Sequence, residues 1–449
     1  MSKFVIKKIY YPLIDYLKGE NLIACLRSLE ASQYFQSEKL SEIQFVNFKN
    51  LLNHVYAASP FYRQTLKEKH LSPDDFRSLE DLRLLPIITK TDIRDNIDDF
   101  LDKTYHGKIY SGRTSGSTGI PLQLYHTPYY SSWDWGSRWR ARRWFGADYG
   151  DREVALWGRP VNSAWERNWG SFKSRIRNVL LLSGFNLSET ELMHYWQKIK
   201  RFHPDYLYGY ASSLAQFGRF IEEKIRPAER IKLKGVFSAG ETLHLPDKQI
   251  LCTVFNCKVS NEYGCSEVGA FAYECPSGNW HISVENTVVE FIDVNGNPAD
   301  EGEICVTSLT NFYMPLIRYR IGDHGMRIAE KCSCGRILPL MKLTAARIVD
   351  VVKTRNGKIF SSNLFDYIND ALIDKGARGI KQFRIIQNDF EDFLIQIVTD
   401  NSVKNDSLAF FEAKMREYLG AEIRINYEFV SGIPQDQTGK IRSFISKIG

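Results

Sequence analysis

The chain has 449 residues, 43% of them hydrophobic and 25% charged, with a formal net charge of +6 at pH 7. This length exceeds what one ordinary hydrophobic core accommodates, so the sequence predicts a globular protein of two or three domains. The modest charge argues against a nucleic-acid-binding protein, and no apolar run approaches the roughly 18 residues of a transmembrane helix.

The N-terminal segment, residues 1–17, mixes Lys3, Lys7 and Lys8 with apolar residues and has no signal-peptide cleavage site. We expect a helix that docks on its own domain. The alternative is a basic amphipathic helix that rests on a membrane surface. Eight cysteines are scattered along the chain. Without an export signal, we expect a cytoplasmic protein in which clustered Cys and His residues bind metal instead of forming disulfides.

Helices are expected to dominate residues 1–105, for example at Ser41–Ala58, where apolar residues recur at helical spacing. Short strands are predicted at Lys108–Gly112 and Leu122–His126, and a helix rich in Trp and Arg follows at Trp133–Trp144. Helices and strands then alternate, with strands expected at Tyr206–Tyr210, Lys234–Ala239 and Cys257–Tyr263. This alternation is typical of an α/β domain with parallel strands.

A β meander is expected from His281 to Arg320, and the composition shifts again near Arg347–Asp350. After that point, helical and strand patterns fill about a hundred residues, the size of a small α+β domain. We therefore predict an α/β fold with a large N-terminal domain, residues 1–348, and a small C-terminal domain, residues 349–449.

The first chemical motif is a run of small residues after Arg113: Thr114, Ser115, Gly116, Ser117, Thr118 and Gly119. Glycines let backbone N–H groups turn inward around an anion, and hydroxyls add further donors to phosphate oxygens. The G-x-x-x-x-G-K-[ST] pattern occurs nowhere, so a Walker-type NTPase is not predicted. Taken alone, the run fits a phosphate loop and a flexible linker equally well.

Three later segments of the chain supply an aromatic ring, two carboxylates and a lysine. Asn261–Glu267 places Tyr263, Gly264 and Glu267 at the end of a predicted parallel strand, where the aromatic ring could stack on a base and the carboxylate could hold Mg²⁺. Asp323 lies on a predicted tight turn, where it could accept both hydroxyls of a ribose. Lys440 follows a glycine near the C-terminus; it is either a solvated lysine or a mobile group that stabilises developing negative charge.

Four soft ligands come from two separate loops: Cys275, His281, Cys332 and Cys334. A C-x₅-H pair and a C-x-C pair fit a closed tetrahedral Zn²⁺ site with a structural role. The alternative is a set of reduced cysteines in two unrelated turns.

In this order, the motifs resemble those of the adenylate-forming superfamily of acyl-CoA synthetases, adenylation domains and luciferases. Three further segments, Pro60–Tyr62, Leu85–Lys90 and Pro204–Ser212, are similar to the phenylacetate-CoA ligase branch and especially to its CapK-like members from capsular polysaccharide loci. The resemblance implies an enzyme that uses ATP and Mg²⁺ to convert a carboxylic acid to an acyl-AMP and pyrophosphate. The acyl group then passes to a thiol such as CoA or to an amine.

The resemblance implies a role for each matching position. Contacts to ATP and AMP are assigned to the small-residue run and to two strand ends, at Thr114–Gly119, Ala239, Gly240, Glu241, Tyr263 and Gly264. Glu267 would hold Mg²⁺, and Asp323 the ribose hydroxyls. Arg347 would lie near the ribose and phosphates, and Lys440 would bridge the carboxylate and ATP. Asp350 would be the hinge of a mobile C-terminal domain. One departure is Ala346, which precedes Arg347 where the family usually has glycine.

A carboxylate pocket is expected near the nucleotide motifs, at Tyr208, Tyr210, Ser212 and Ser213. The nearby helix supplies Trp133, Trp135, Arg138, Arg142 and Arg143, which would suit an anionic sugar. Such a stripe is more often a half-buried helix whose arginines snorkel to water.

Three functions remain open at this stage. The first is a ligase that joins an acid to an amine in surface-polysaccharide biosynthesis. The second is an aryl- or acyl-CoA ligase. The third is a non-catalytic, zinc-stabilised protein that binds carbohydrate or a membrane surface on the same scaffold.

Overall fold

The computed structural model describes residues 2–113, 122–157, 174, 176–182, 184, 187, 189–345, 351–355, 359–361, 365, 380–399, 405–434 and 444–448. The chain divides into two compact units, Met1–Ile321 with Met326–Lys342 and Gly322–Gly325 with Leu343–Gly449. Both units combine helices with sheets, so the predicted α/β fold class is confirmed. The boundary predicted at 348/349 stays a prediction.

Helices dominate the N-terminal part of the chain, as the periodicity predicted. They are α1 (Lys3–Val5), α2 (Tyr11–Lys18), α3 (Leu22–Ser32), α4 (Ser37–Ala58), α5 (Pro60–Glu68), α6 (Lys90–Asp95) and α7 (Ile97–Phe100). A π turn, Ile6–Tyr10, joins α1 to α2. The ends follow local chemistry: Gly19 terminates α2 with a φ of 69°, and the Thr89 side chain accepts from the Asp92 backbone N–H to start α6.

In the part of the chain that the structure describes, five further α-helices follow the first β strands. They are α8 (Pro128–Arg143), α9 (Glu189–Phe202), α10 (Ala211–Lys224), α11 (Leu245–Phe255) and α12 (Asn405–Leu419). Among the residues that the structure describes, no helix is both long and apolar enough to cross a membrane.

An eleven-stranded mixed sheet forms the centre of the large unit. Its strands are, in chain order, β3 (Glu153–Leu156), β4 (Val179–Leu182), β5 (Tyr206–Tyr210), β6 (Gly235–Ala239), β7 (Lys258–Cys265), β8 (Gly269–Glu274), β9 (Trp280–Ile282), β10 (Thr287–Ile292), β11 (Glu301–Ser308), β12 (Tyr319–Ile328) and β13 (Leu340–Ala345). Their spatial order is β10-β11-β12-β13-β9-β8-β7-β6-β5-β3-β4. The predicted strands at Lys108–Gly112 and Leu122–His126 form a separate antiparallel pair, β1 (Tyr110–Arg113) and β2 (Gln123–His126).

Strands β4, β3, β5, β6 and β7 are parallel, as the alternation of helices and strands predicted. One face of this region is covered by α9, α10 and α11, whose Trp196 and Phe217 pack against Leu207 and Val236 of the sheet. The other face is covered by α3 and α8, with Trp139 packed near Tyr206 and Phe237. The parallel strands are therefore the middle of three layers, which explains why apolar residues of β5 and β6 are buried on both faces.

The small unit has its own core. It contains the pair β14 (Val351–Lys353) and β15 (Ile359–Ser361), and a four-stranded sheet of β16 (Ile380–Asp389), β17 (Asp392–Thr399), β18 (Arg424–Phe429) and β19 (Phe444–Ser446). Phe393, Ile395 and Ile397 alternate along β17 and pack against Phe411 and Met415 of α12. This alternation is the period-2 pattern of a strand with one buried face.

Arg142 of α8 does not snorkel to water, so for this arginine the prediction is wrong. Arg140 and Arg142 are each 1% exposed, because α8 lies between α3 and the sheet. Arg140 binds Glu285 at 2.6 Å and donates to the Leu29 carbonyl at 3.1 Å. These arginines are structural partners of buried carboxylates.

Replacing Arg140 with Met should destabilise the protein strongly, since Glu285 is only 3% exposed and would lose its cationic partner. We expect a loss of about 3–5 kcal/mol in the free energy of unfolding, measured by chemical denaturation. Arg143→Met on the same helix is the control, because Arg143 is 25% exposed and its loss should cost about 1 kcal/mol or less. Equal losses in the two variants would contradict this role of the buried pair.

Candidate functional site

The ends of three parallel strands meet at one edge of the large sheet. Tyr210 of β5 pairs with Ala239 of β6, and Ala239 pairs with Glu262 of β7. Gly240 directly follows β6, and Tyr263 is the first residue of β7 beyond its pairing with β6, so the two residues lie at the same edge. Ligand sites in α/β folds form at such carboxyl ends of strands. The structure thus brings together the strand-end positions that the sequence singled out.

Two glycines at this edge are required by the backbone. Gly240 has a φ of +79°, a left-handed conformation that other residues rarely adopt. A Cβ on Gly264 would lie 2.1 Å from the carbonyl oxygen of Gly269, where the β7–β8 pairing is irregular. Two backbone segments therefore pass very close together beside Tyr263, and no larger residue fits there.

Aromatic rings line the β3–β5 side of this edge. The Trp157 ring stacks on Tyr210, with centroids 4.0 Å apart and planes at 17°, and on Tyr208, at 5.2 Å and 11°. The sequence pattern predicted both tyrosines but not Trp157, although it directly follows a parallel strand. Tyr263, by contrast, contacts Phe271 and Trp280 edge-on, at 5.1 and 5.9 Å. Its ring orientation is thus set by its neighbours.

Of the two serines predicted to line the carboxylate pocket, Ser212 and Ser213, the structure describes the side chain of Ser213 only. Ser213 is buried, and its hydroxyl donates to the Gly184 carbonyl at 3.1 Å. The hydroxyl therefore has a partner within the fold, which weakens the prediction that Ser213 contacts a substrate. Ser212 lies in the first turn of α10, and its side chain is outside the described part of the chain. Glu241 follows Gly240 and is half-buried.

Glu267 lies in the turn between β7 and β8, where the Tyr319 hydroxyl donates to its Oε1 at 3.1 Å. Tyr319 starts β12 and is held beside Ile88 by two backbone hydrogen bonds, of 3.0 and 2.9 Å, between Ile88 and the residues flanking Tyr319. The family-like segment Leu85–Lys90 is therefore hydrogen-bonded to the start of β12, the strand that carries Asp323. Nothing in the sequence pattern predicted this junction.

Arg318 fixes that junction from inside the protein. Its φ is +54°, its side chain is buried, and its guanidinium donates to Glu290 at 3.1 Å and to the Leu85 carbonyl at 2.8 Å. Asp323 lies further along the same strand, after Gly322 with a φ of +81°. The prediction of a tight turn at Asp323 is therefore wrong, because the left-handed glycine is accommodated within β12. Asp323 belongs to the second compact unit.

Helix α8 holds both strands that flank the Glu267 turn. Arg138 donates to Glu262 on β7 at 2.7 Å, and also binds Asp134 one turn earlier on its own helix at 3.1 Å. Asp134 in turn accepts from the Ala270 backbone N–H on β8 at 3.2 Å. The ion pair of Asp134 and Arg138 is thus hydrogen-bonded to β7 on one side of the Glu267 turn and to β8 on the other. We call Asp134 and Arg138 the α8 clamp.

Several predicted site residues lie outside the described residues: the small-residue run Thr114–Gly119, Arg347, the hinge Asp350 and Lys440. The strands on either side of the run are described. In their antiparallel pairing, Tyr110 lies opposite His126 and Arg113 opposite Gln123, so the run connects the two strands of a hairpin. The roles predicted for these residues stay predictions.

The four predicted metal ligands come together, although the pair Cys275 and His281 is more than fifty residues from the pair Cys332 and Cys334. The ligand atoms of Cys275, His281, Cys332 and Cys334 all lie within 4.8 Å of one another. The Cys275 and Cys332 sulfurs are 3.6 Å apart, and Cys334 Sγ lies 3.2 Å from His281 Nε2. Two thiolates on one tetrahedral zinc ion, each about 2.3 Å from the metal, would be separated by about 3.8 Å.

The surroundings of the cluster also suit a metal ion. His281 Nδ1 is 3.1 Å from the Leu338 carbonyl, a hydrogen bond that leaves Nε2 directed at the cysteines. Burial lowers the pKa of His281 to about 4, so the imidazole is neutral at pH 7, as a metal ligand must be. All eight cysteines of the chain are free thiols.

Comparison with known proteins connects both parts of the chain to one family. The model of the CapK C-terminal domain matches residues 351–447. Protein CapK of Staphylococcus aureus is 26% identical over 431 residues, which cover 93% of this chain and 92% of CapK. A phenylacetate-coenzyme A ligase of Thermus thermophilus is 28% identical over 339 residues, 73% of this chain and 74% of that enzyme.

Solved structures show the same fold. A crystal structure of 2-hydroxyisobutyryl-CoA ligase in complex with 2-HIB-AMP superimposes with a TM-score of 0.73 at 19% identity, covering 93% of this chain and 91% of that chain. Sequence relatives and fold agree with the order of motifs along the chain. The chain is therefore similar in sequence to CapK and to the phenylacetate-CoA ligases, and its fold is that of an adenylate-forming ligase.

Proposed function

We propose that the protein is an ATP-dependent, AMP-forming carboxylate ligase. The observation that carries the proposal is the strand edge at which Tyr210, Gly240 and Tyr263 converge, with Glu267 held by Tyr319 in the adjoining turn. A nucleotide lying along Ala239–Glu241 would have a backbone surface on one side and the Tyr263 ring nearby. This arrangement suits nucleotide binding at the carboxyl edge of parallel strands.

Attack of a carboxylate on the α-phosphorus of ATP needs alignment and neutralisation of charge more than proton transfer. We assign phosphate binding to Thr114–Gly119 and the ribose hydroxyls to Asp323. Lys440 and Arg347 would stabilise the charge that develops during attack, and Asp350 would be the hinge. These assignments rest on the order of motifs along the chain.

Mg²⁺ would be held by Glu267. The Tyr319 hydroxyl orients this carboxylate through one oxygen, and an oriented carboxylate near phosphates is a common magnesium ligand. The ion would neutralise charge on the phosphates and on the departing pyrophosphate.

For the acceptor, we favour an amine that yields an amide on a surface-polysaccharide building block. The support is the similarity to CapK over nearly the whole chain. The alternative is the thiol of CoA, which the similarity to phenylacetate-CoA ligases supports comparably. Separate transfer assays with CoA and with amino sugars would distinguish the two. The cytoplasmic location stays a prediction.

We also propose that Cys275, His281, Cys332 and Cys334 hold one structural Zn²⁺. Four protein ligands leave no position for substrate, so the ion would join two loops without taking part in the reaction. A non-catalytic, zinc-stabilised binding protein remains the alternative from a different class. It does not require Glu267, Asp323 and Lys440 to occur together.

Replacing Lys440 with Ala should reduce carboxylate-dependent exchange of pyrophosphate into ATP by at least about 100-fold, since a charge that acts in the transition state is removed. Lys447→Ala is the matched control, because Lys447 is an exposed lysine near the same terminus. The assay needs a panel of aryl, acyl and sugar acids. If no acid supports exchange, or if Lys440→Ala exchanges normally, the protein is not a ligase of this kind.

Purified protein should contain about one zinc ion per chain, and Cys332→Ser should lower both the zinc content and the unfolding temperature. Metal content is measured by elemental mass spectrometry, and stability is measured by thermal unfolding with and without a chelator. Cys252→Ser, on α11 and outside the cluster, should change neither quantity. Zinc content that does not depend on Cys332 would contradict the site.

Replacing Arg138 with Met should weaken the binding of ATP and Mg²⁺ in the exchange reaction, because the Glu267 turn loses part of the α8 clamp. We expect the ATP and Mg²⁺ concentrations for half-maximal exchange to rise by about tenfold, as when the partner of a ligand is removed. The fold should survive, because Arg142 still lies 3.4 Å from Glu262. Arg143→Met is the control on the same helix, since Arg143 binds Glu30 and Asp148 instead. Identical kinetics in the two variants would exclude a positioning role for the α8 clamp.

A further inference from the structure

Five large apolar side chains are exposed on the N-terminal helical segment, residues 3–18. They are Phe4, Ile9, Leu13, Tyr16 and Leu17, with exposed fractions of 69%, 57%, 51%, 83% and 64%. We call them the N-terminal stripe. A contiguous set of exposed apolar residues usually marks an interaction surface.

The π turn makes this stripe continuous. Ile9, Leu13, Tyr16 and Leu17 follow the spacing of three and four residues that keeps side chains on one face of an α-helix. Phe4 precedes Ile9 by five residues, which would place it off that face in a regular α-helix. In the π turn at Ile6–Tyr10 the Tyr11 backbone N–H donates to the Ile6 carbonyl, five positions earlier, and this wider turn brings Phe4 closer to the face of Ile9 than a regular α-helix would.

The stripe is not needed to hold the segment on the protein. The opposite side docks through Ile6, which is fully buried, and through ion pairs of Lys3 with Asp151 and Lys7 with Asp148. The sequence posed docking and membrane contact as alternatives. The structure makes them compatible, because one side of the helix docks while the other faces solvent.

The charge around the stripe is positive. Lys8 is exposed on the same segment, and the Lys18 side chain at its end is 48% exposed, although its Nζ lies 3.6 Å from Glu20 Oε1. The nearby carboxylates turn inward: Asp15 accepts from the Ile23 backbone N–H at 3.2 Å, and Glu20 accepts from the Tyr110 hydroxyl at 2.9 Å. An apolar stripe flanked by lysines is complementary to anionic lipid headgroups over acyl chains.

The size of the stripe favours a lipid surface over a second copy of the chain. Sixteen helical residues span about 24 Å, and one face about 10 Å wide covers a few hundred Å². A stable dimer buries about 800 Å² per partner. A bilayer needs no shape complementarity and accepts an apolar face at a depth of about 5–10 Å.

We propose that the N-terminal stripe binds the surface of an anionic lipid bilayer, with the helix lying in the plane of the interface. The protein would be a peripheral membrane protein, and its large unit would stay outside the bilayer. This inference does not depend on the ligase proposal, since it concerns no residue of the strand-edge site.

The test is flotation of the full-length protein with vesicles of phosphatidylcholine alone or mixed with phosphatidylglycerol. We expect the wild type to float with the mixed vesicles about tenfold more than with phosphatidylcholine alone. Ile9→Asp with Leu13→Asp should lose most of this binding. The control, Val46→Asp with Val294→Asp, alters two exposed apolar residues elsewhere and should float like the wild type.

Thermal unfolding checks that the variants fold. If the aspartate variant does not fold, Tyr16→Ser with Leu17→Ser replaces it, because both of these side chains are mostly exposed. A wild type that does not float, or a folded stripe variant that floats equally well, would overturn the proposal. So would a wild-type dimer that becomes monomeric in the variant without any vesicle binding, since the stripe would then join two copies of the chain.

Discussion

The interaction on which the site depends is the buried ion pairing of Glu262 with Arg138 and Arg142. Glu262 is the last residue of β7 paired with β6, and its side chain is 2% exposed. A carboxylate at that depth is stable only with cationic partners, and α8 supplies two, at 2.7 and 3.4 Å. The pairing fixes α8 against the sheet. It thereby sets the position of the strand end from which Tyr263 and the Glu267 turn follow.

Another buried arginine, Arg318, fixes the chain on the other side of the Glu267 turn. Arg318 adopts a left-handed conformation and binds Glu290 and the Leu85 carbonyl, so the segment before α6 is fastened to the start of β12. Tyr319, the next residue, then reaches Glu267. The Glu267 turn is therefore held by three distant parts of the chain: α8, the segment before α6 and the start of β12. Such a turn can present a carboxylate in one defined orientation, as metal and phosphate binding require.

The periodicity of the chain was sufficient for the elements and their order. Apolar residues at helical spacing predicted α4, and short β-branched and aromatic runs predicted β5, β6 and β7 within a few residues. Spacing also predicted which Cys and His residues form the cluster, because metal ligands occur in short local pairs. The sequence could not predict that the arginines of α8 are buried, since amphipathic spacing looks the same whether the polar face meets water or carboxylates. Trp157 was missed because a single aromatic after a strand is not a motif.

What the sequence alone determined is therefore local: element type, the order of the motifs, the family that they resemble and the pairs of metal ligands. These follow from side-chain periodicity and from residue chemistry over a few positions. Tertiary structure decided which strand ends share an edge, which carboxylates Arg138, Arg142 and Arg318 meet, and which side of the N-terminal helix remains exposed. Those outcomes depend on contacts between residues far apart in the chain, whose energies are set by burial, and burial is a property of the folded molecule.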